Sequence, residues 1–463
     1  MNTGVTSTVS TAVKTLDQIA SELQGYDPQA LSAADVLKFL HQLAVPIQDR
    51  QELPLFEAVG RVLAADVISP FDVPPHDNSA MDGYAFGGAA LANGRALSLK
   101  VLGTALAGKA WYGFVEAGQC VKIMTGAIMP AGTDTVVPQE FVQRLGDIVT
   151  IPPNLLSMGD NQRLRGEDLS QGKSALLKGE MVTPARLGLA ASLGLATLPC
   201  FRRLRVAYFS TGDEILSLGE APREGAVYDS NRYTVYALLT RMGCEVIDMG
   251  VVKDDPILLE AAFRQAAINA DAVITSGGVS VGEADHTKTM MKKLGDVVFW
   301  RIAMRPGRPM AVGRIKAEDD SVQTTQSPSH DCRDGDEETV NKTNANGAVL
   351  FGLPGNPVAV MVTFLAFVRP ALLQIMGATH TQPVLLKAAS SEPIRKKSGR
   401  TEYQRGWVST SADGALSVRT TGSQGSGVLR SMAEANGLIV LHHTQGNVMP
   451  GDAVDVLMFD SAI

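Results

Sequence analysis

Thr275-Ser-Gly-Gly-Val-Ser-Val-Gly-Glu-Ala-Asp-His286 follows the apolar run 272–274 and leads into a lysine-bearing segment. This order predicts a strand, a glycine turn and a helix, in which the turn offers backbone N–H groups to an anion. Glu283 and Asp285 place two carboxylates beside that anion. Negative groups that face each other predict a divalent cation, most often Mg²⁺, between the carboxylates and the anion. The plainer alternative is a corner whose glycines only make the turn and whose acids only cap the helix.

The surrounding region, 204–380, alternates predicted strands and helices. This alternation predicts a doubly wound parallel sheet, which binds ligands at the carboxyl ends of its strands. The glycine-rich and acidic loops all follow predicted strands, so we expect them at one sheet edge. The fold class is multidomain α/β, with a central doubly wound α/β domain and flanking mixed α+β, small β and C-terminal β-barrel domains.

Three further polar loops belong to this block. Thr211-Gly-Asp-Glu214 either caps a helix or places Glu214 at the ligand edge. In Lys253-Asp-Asp-Pro256, Asp255 precedes proline and is a natural helix cap, so Asp254 is the better candidate for metal or substrate. Asp229-Ser-Asn231 is equally consistent with a plain cap and with a nucleotide or pterin contact.

Two rigid turns share a Pro-Gly core, Arg305-Pro-Gly-Arg-Pro309 and Leu353-Pro-Gly-Asn-Pro357. Prolines around a glycine fix the backbone, which suits the presentation of N–H groups to an oxyanion. We interpret the two turns as opposite walls of one anion pocket, with Arg305 and Arg308 supplying positive charge.

Composition narrows the function classes. The net charge is −7, but residues 317–338 carry eight acids and one base, so the rest of the chain is neutral overall. That balance indicates neither a nucleic-acid nor a membrane surface. The four cysteines lack CxxC spacing, which fits a reducing compartment without zinc or disulfides. We find no apolar run near the ~20 residues of a membrane span and expect a cytoplasmic protein.

The length predicts several domains. We expect a flexible extension over 1–30, an elongated linker and dimerisation domain formed by 31–75 and 159–200, and a small β domain over 76–158. The α/β domain then covers 201–382, with an acidic disordered insert over 317–346. Residues 383–463 complete the chain as a small β domain, barrel or sandwich, which we assign as a barrel.

These strings together resemble the molybdopterin molybdenumtransferase family, which includes bacterial MoeA and the gephyrin E domain. The resemblance runs from about residue 30 to the C-terminus, without the insert. The matching strings are Asp77-Asn-Ser-Ala-Met-Asp-Gly-Tyr-Ala85, Ile123-Met-Thr-Gly-Ala127, Gly166-Glu-Asp168, Thr211-Gly-Asp-Glu214, 275–285, Pro306-Gly-Arg-Pro309 and Leu353-Pro-Gly-Asn-Pro357.

The resemblance implies a homodimeric enzyme whose central domain binds molybdopterin. It would insert molybdate into adenylylated molybdopterin with Mg²⁺, releasing AMP and molybdenum cofactor. The implied catalytic residues are Asp82, Thr125, Glu214, Asp254, Asp285 and Lys288, of which Glu214 and Asp285 hold the metal. The implied substrate-binding residues are Gly277, Gly278, Ser280, Glu283, Lys292, Arg305, Pro306, Arg308, Pro309, Pro354, Gly355, Asn356 and Pro357.

Some alternatives stay open at this point. Asp82 and Thr125 would reach the pocket from the small β domain, from either subunit. A molybdopterin adenylyltransferase has a similar α/β domain, but it lacks the 31–200 and C-terminal regions. A scaffold protein that keeps the fold is a third reading, against which the intact acids at 82, 214, 254 and 285 argue. Tungsten in place of molybdenum is also open.

Overall fold

The computed structural model describes residues 14–23, 25–91, 94–279, 286–316 and 347–462. A π-helical turn, Phe364–Val368, joins the eighth and ninth α-helices. Within the described ranges the α-helices are α1 (Leu16–Glu22), α2 (Ala33–Leu43), α3 (Leu55–Ala58), α4 (Pro184–Ser192), α5 (Ser230–Arg241), α6 (Pro256–Asn269), α7 (His286–Leu294), α8 (Pro357–Thr363), α9 (Arg369–Ile375), α10 (Leu429–Ala433) and α11 (Phe459–Ala462).

The strands in these ranges are short, as expected for a chain punctuated by glycine and proline. They are β1 (Arg50–Pro54), β2 (Val67–Ile68), β3 (Asn78–Ser79), β4 (Gly83–Phe86), β5 (Leu97–Ala105), β6 (Gln119–Ile123), β7 (Thr135–Pro138), β8 (Gln143–Leu145), β9 (Ile148–Ile151), β10 (Gln162–Arg163), β11 (Ser174–Leu176), β12 (Thr197–Phe201), β13 (Arg205–Thr211), β14 (Ile215–Leu216), β15 (Val227–Tyr228), β16 (Glu245–Val252), β17 (Ala272–Ser276), β18 (Gly295–Arg301), β19 (Met304–Arg305), β20 (Pro309–Ile315), β21 (Ala348–Leu353), β22 (Leu385–Ser390), β23 (Thr401–Thr410), β24 (Leu416–Thr420), β25 (Gly437–Leu441) and β26 (Ala453–Met458).

Local sequence rules account for several helix starts. The Ser32 side chain accepts from the Asp35 N–H at 3.2 Å and caps the start of α2, a position that serine favours. Asp255 caps α6, so the capping prediction for this residue is confirmed. The sequence pattern from Leu55 to Ala64 favours a helix, but the structure ends that helix at Ala58. After it, Gly60 turns with φ 73°, and Val62 and Leu63 form β-bridges to other segments.

The central sheet confirms the doubly wound α/β class, with strand order β16–β13–β17–β21–β20–β18. One face packs against α2, α5, α8 and α9, and the other against α6 and α7. The expectation of a wholly parallel sheet is wrong at one strand, because β20 runs antiparallel to both of its neighbours, β21 and β18. As a result, the start of β20 lies at the edge where β17 and β21 end, and the turn before β20 joins that edge.

The predicted acidic insert joins β20 to β21 and lies outside the described residues. Its two attachment points lie at the opposite edge of the sheet, where Ile315 pairs with Ala348. Because β20 spans seven residues, this edge is about 20 Å from the ligand edge. The two attachment points of the insert therefore lie far from Arg305 and Arg308, although the insert is close to these residues in sequence.

The small β region is a six-stranded sheet of order β7–β4–β6–β5–β9–β8. A separate group of short elements is formed where β1 pairs with β12 and β2 with β11. Residues from α3 and α4 share a core with these strands. Two distant stretches, near 50–68 and 174–201, thus pack together, and the exact domain boundaries stay predictions.

The C-terminal region is a closed barrel of five strands, β23–β24–β22–β26–β25, which confirms the barrel assignment. Closure comes from pairing of β25 with β23. A short strand, β19, adds in parallel to β23 through the pairs Met304–Thr401 and Arg305–Glu402. This pairing ties the turn after β19 to the barrel.

The expectation of a loose extension over 1–30 is wrong from residue 14 onward. Leu16 is 2% exposed and Ile19 is 0% exposed, both within the core on the α2 side of the central sheet. The Leu16 N–H also donates to Asp296 at 3.2 Å. The helix has only seven residues, so the spacing of its apolar residues was too short a pattern to identify Leu16 and Ile19 as buried positions. Helix α2 packs in the same core, although the sequence assigned it to the linker domain.

The expectation that no apolar run approaches the length of a membrane span is wrong. The continuous helical run 357–375 is long and apolar enough to cross a membrane by those two measures alone. Most of this run is buried inside the protein, where Phe364 and Phe367 are fully covered by the central core. Its apolar character is explained by this packing.

The docked first helix leads to a stability prediction. Replacing Ile19 with alanine should destabilise the fold by about 2–4 kcal/mol, because a fully buried side chain leaves a cavity. Urea unfolding followed by tryptophan fluorescence measures this, since buried Trp300 lies in the same core. The control, Ser21→Ala on the exposed side of α1, should stay within about 0.5 kcal/mol. Equal stability of both variants would contradict the docking of α1.

Candidate functional site

Two adjoining cavities occupy the carboxyl edge of the central sheet. Cavity A, about 510 Å³, lies above the ends of β13 and β17 and the start of α5. Cavity B, about 600 Å³, lies between the two Pro-Gly turns. Four residues line both: Glu214, Gly277, Gly355 and Asn356. The sequence prediction that these separate loops meet at one edge is therefore confirmed.

The glycine pair is explained by close packing. A Cβ on Gly277, at φ 93°, would lie 2.4 Å from the Thr211 carbonyl oxygen, and one on Gly278 would lie 2.5 Å from the Thr287 side chain. Only glycine allows both the approach and the backbone conformation. The Gly277 N–H donates to the Leu353 carbonyl at 3.1 Å. The prediction that this N–H is free for an anion is therefore wrong.

Glu214 is the acid that the structure places most clearly in the site. It follows β13 and lies over Gly212, where a Cβ would come within 2.4 Å of the Glu214 carboxylate. Its carboxylate makes no hydrogen bond or ion pair among the described residues, and it lines both cavities. Such a carboxylate is available to a ligand or a cation.

Asp254 lies farther from the cavities and lines neither of them. Its Oδ1 lies 3.4 Å from the Thr287 hydroxyl, and its N–H donates to Asp213. It therefore supports the start of α7, close behind Gly278.

The two predicted lysines lie beside an aromatic ring, and their roles toward the substrate stay predictions. The ammonium groups of Lys288 and Lys292 lie 6.0 and 5.6 Å from the centre of the Phe299 ring. Neither residue lines cavity A or B. The helical spacing put both on one face of α7, but it could not show that this face meets β18. Ser280, Glu283 and Asp285 lie outside the described residues, so their roles stay predictions.

Both Pro-Gly turns line cavity B, which confirms them as two walls of one pocket. One wall carries two guanidinium groups, and the other begins α8. The predicted residues found there are Gly278, Arg305, Pro306, Arg308, Pro309 and Pro354. Pro357, also predicted, lies in cavity A.

A loop of the barrel closes the site, and the sequence analysis missed it. Gln424, Gly425 and Ser426 line cavity B. The loop is held by Arg405, 1% exposed, whose guanidinium donates to the carbonyls of Ser423 and Gly425 at 2.9 and 3.0 Å. Burial and neighbouring Arg305 lower the pKa of Arg405 to about 10. The string Gly422-Ser-Gln-Gly-Ser-Gly427 was the available signal.

A buried hydroxyl cluster forms the floor of cavity A and was also missed. The Tyr208 hydroxyl lies 2.7 Å from the Ser276 hydroxyl and 3.0 Å from that of Ser210. Burial raises the pKa of Tyr208 well above its usual range, so the phenol stays neutral. Polar side chains near the ends of apolar strands were the signal for this cluster.

Asp82 and Thr125 meet in the small β region, as their joint prediction requires. The Thr125 N–H and hydroxyl both donate to Asp82 Oδ1 at 2.7 Å. These two hydrogen bonds lower the pKa of Asp82. Neither residue lines cavity A or B of its own chain.

The acidic side chains of the site bear on whether it can hold a metal ion. Among the described residues, no group of three or more His, Cys, Asp or Glu side chains is arranged to hold an ion. Mg²⁺, however, is usually held by one or two carboxylates together with substrate phosphates. Glu214 meets that requirement at the place where the two cavities join.

The chain matches family models along most of its length. Residues 31–194 match the MoeA N-terminal region (domain I and II), 207–374 a probable molybdopterin binding domain, and 387–459 the MoeA C-terminal region (domain IV). A molybdopterin molybdenumtransferase of Haemophilus influenzae is 39% identical over 91% of this chain and 97% of that protein. One from Nostoc sp. is 33% identical over 97% and 98%.

A solved structure agrees with these matches. The crystal structure of the molybdopterin biosynthesis moeA protein of Pyrococcus horikoshii superposes with a TM-score of 0.72 at 26% identity. It covers 93% of this chain and 100% of that chain. The likeness therefore extends over all regions described above.

The close packing of Gly277 can be tested by adding a side chain at this position. Gly277→Ala should destabilise the protein by about 1–3 kcal/mol and reduce ligand binding, because the new methyl group meets the Thr211 carbonyl. Thermal unfolding measures the first effect. Gly188→Ala is the control, since a Cβ there has no neighbour within 4 Å and alanine favours the interior of α4. A Gly277→Ala protein as stable as the wild type would refute the packing argument.

Proposed function

Since this chain belongs to the molybdopterin molybdenumtransferase family, whose enzymes insert molybdenum during biosynthesis of the molybdenum cofactor, we propose that cavities A and B hold the two substrates of that transfer. The observation that carries the proposal is the continuity of the cavities across Glu214 and Gly277. A long organic substrate can lie across both cavities while an oxyanion enters one of them. We take the organic substrate to be adenylylated molybdopterin and the oxyanion to be molybdate.

Cavity B suits molybdate by its chemistry. Arg305 and Arg308 supply positive charge, and rigid turns on both sides fix the shape of the pocket. The Ser426 hydroxyl and the Gln424 amide add hydrogen-bonding groups from the barrel. In the transfer the two dithiolene sulfurs bond to molybdenum, and the displaced oxygens leave as water with the thiol protons. A positively charged, shaped pocket therefore serves the transfer without a protein nucleophile.

Glu214 is the residue we propose for a bound cation. A Mg²⁺ ion there would neutralise phosphate charge on the adenylate, which eases release of AMP. The carboxylate of Glu214 would orient this part of the substrate where the cavities join. Asp285 was assigned the same role from the sequence, and Asp254 would act from behind the loop.

We propose that a homodimer completes the site. Asp82 and Thr125 form a ready-made polar pair, but both lie outside the cavities of their own chain. Large apolar side chains are exposed near the small β region and the adjoining segments, including Phe56 at 95% and Leu145 at 87%. An interface there would cover apolar surface and could bring Asp82 of the partner subunit to the cavity edge.

The adenylyltransferase alternative is not supported. It predicted a chain without the 31–200 and C-terminal regions, whereas matches to family models cover 31–194 and 387–459. The barrel also contributes directly to cavity B through the loop held by Arg405.

The cation role of Glu214 can be tested in a defined reaction. Purified protein is supplied with adenylylated molybdopterin, Mg²⁺ and molybdate, and AMP release and active cofactor are measured. Glu214→Gln should lower the rate about 100-fold and shift the Mg²⁺ requirement upward. Exposed Glu224→Gln, on the next loop along the chain and outside both cavities, should keep the wild-type rate. Full activity of Glu214→Gln with unchanged Mg²⁺ dependence would remove the assignment.

Subunit complementation tests the shared site. Asp82→Asn and Glu214→Gln proteins, each of low activity, are unfolded, mixed and refolded together. If Asp82 acts across the interface, mixed dimers regain one intact site, and roughly a quarter of wild-type activity returns. If both residues act within one subunit, the mixture stays as inactive as its parts. A monomeric wild-type protein in light scattering would contradict the dimer itself.

A further inference from the structure

Two buried side chains of cavity A have acceptor oxygens that no described residue pairs. Asp229 is 4% exposed and Asn231 is 7% exposed, and both line the cavity. The unpaired atoms are Asp229 Oδ2 and Asn231 Oδ1. Buried acceptors without donors are unfavourable, so the pair requires an explanation.

The remaining atoms of these two side chains are already engaged. Asp229 Oδ1 accepts from the Arg232 N–H at 3.0 Å and caps α5. Asn231 Nδ2 donates to the Gly355 carbonyl at 2.8 Å, which fixes the amide with its oxygen as the free atom. Both side chains are therefore held in place before any ligand arrives. Capping explains one oxygen of Asp229 and leaves the other unexplained.

The mouth of cavity A adds an apolar wall. Ile215, Val227 and Tyr228 line it, and Val227 and Tyr228 are 58% and 43% exposed. An exposed apolar and aromatic wall above a buried polar floor suits a flat ring with polar edges. The floor presents unpaired acceptors, so the ring must bring N–H donors.

We infer that cavity A is the pterin subsite, in which Asp229 and Asn231 recognise the N–H edge of the ring; this rests on the proposed function. The pyrimidine part of a pterin has a ring N–H beside an exocyclic amino group, which gives adjacent donors. Adenine has one amino group beside a ring acceptor. Two acceptors on the floor match the pterin edge and would leave an adenine acceptor unpaired.

Equilibrium binding tests this assignment. Pterin-6-carboxylate, followed by its fluorescence, probes the ring, and AMP, followed by calorimetry, probes the nucleotide half. Asp229→Asn keeps a capping oxygen but can turn a donor toward the donors of the ring. It should weaken pterin binding at least about 10-fold and leave AMP binding within about twofold. Tyr228→Ala, which removes part of the exposed wall, should also weaken pterin binding selectively.

The control makes the same substitution at another helix cap. Asp255→Asn lies at the start of α6 on the same sheet edge and lines neither cavity, so pterin binding should not change. Thermal unfolding checks that each variant is folded. Selective loss of AMP binding in Asp229→Asn would place adenine in cavity A and overturn the inference. Unchanged pterin binding in both cavity variants, or no pterin binding by the wild type, would overturn it too.

Molybdenum insertion by the wild-type protein is measured in parallel. A wild type that binds pterin in the predicted way but inserts no molybdenum would count against the proposed function and leave the ring assignment intact. Active insertion together with unchanged pterin binding in the variants would support the proposed function and overturn the ring assignment.

Discussion

The packing of Gly277 against its neighbours is the constraint on which the site depends. Its N–H bonds to the end of β21, and its missing side chain lets the end of β13 approach. Gly355 lies in contact with the same glycine, where an added Cβ would be 3.9 Å from the Gly277 Cα. Three strand ends are thereby held together, and the two cavities open on either side of this junction. Any larger residue at 277 would separate the strands and the cavities with them.

The sequence predicted the parts of the site that follow from strand order. Glu214 and the turn 353–357 follow parallel strands, so a doubly wound sheet brings them to one edge. The turn 305–309 reached that edge for a reason the sequence analysis did not foresee. It precedes a strand that runs antiparallel, so the beginning of β20 lies where its neighbours end. The turn was correctly placed at the ligand edge, although the assumed direction of β20 was wrong.

Other parts could not be predicted because they depend on contacts between distant segments. The barrel loop at 424–426 enters cavity B only because β19 pairs with β23 and Arg405 holds the loop. Lys288 and Lys292 share one face of α7, and the position of that face beside the Phe299 ring depends on packing against the later strand β18. The first helix has two buried anchors in seven residues, too few for a periodic signal.

The attachment of the acidic segment to the β20–β21 hairpin has a practical consequence. Its ends, Lys316 and Gly347, leave the sheet at the edge that faces away from the cavities. The hairpin is therefore a permissive joint, where chain can be added or exchanged without passing the substrates. A fluorescent domain or an affinity handle grafted between these two residues would report on the enzyme from a distance.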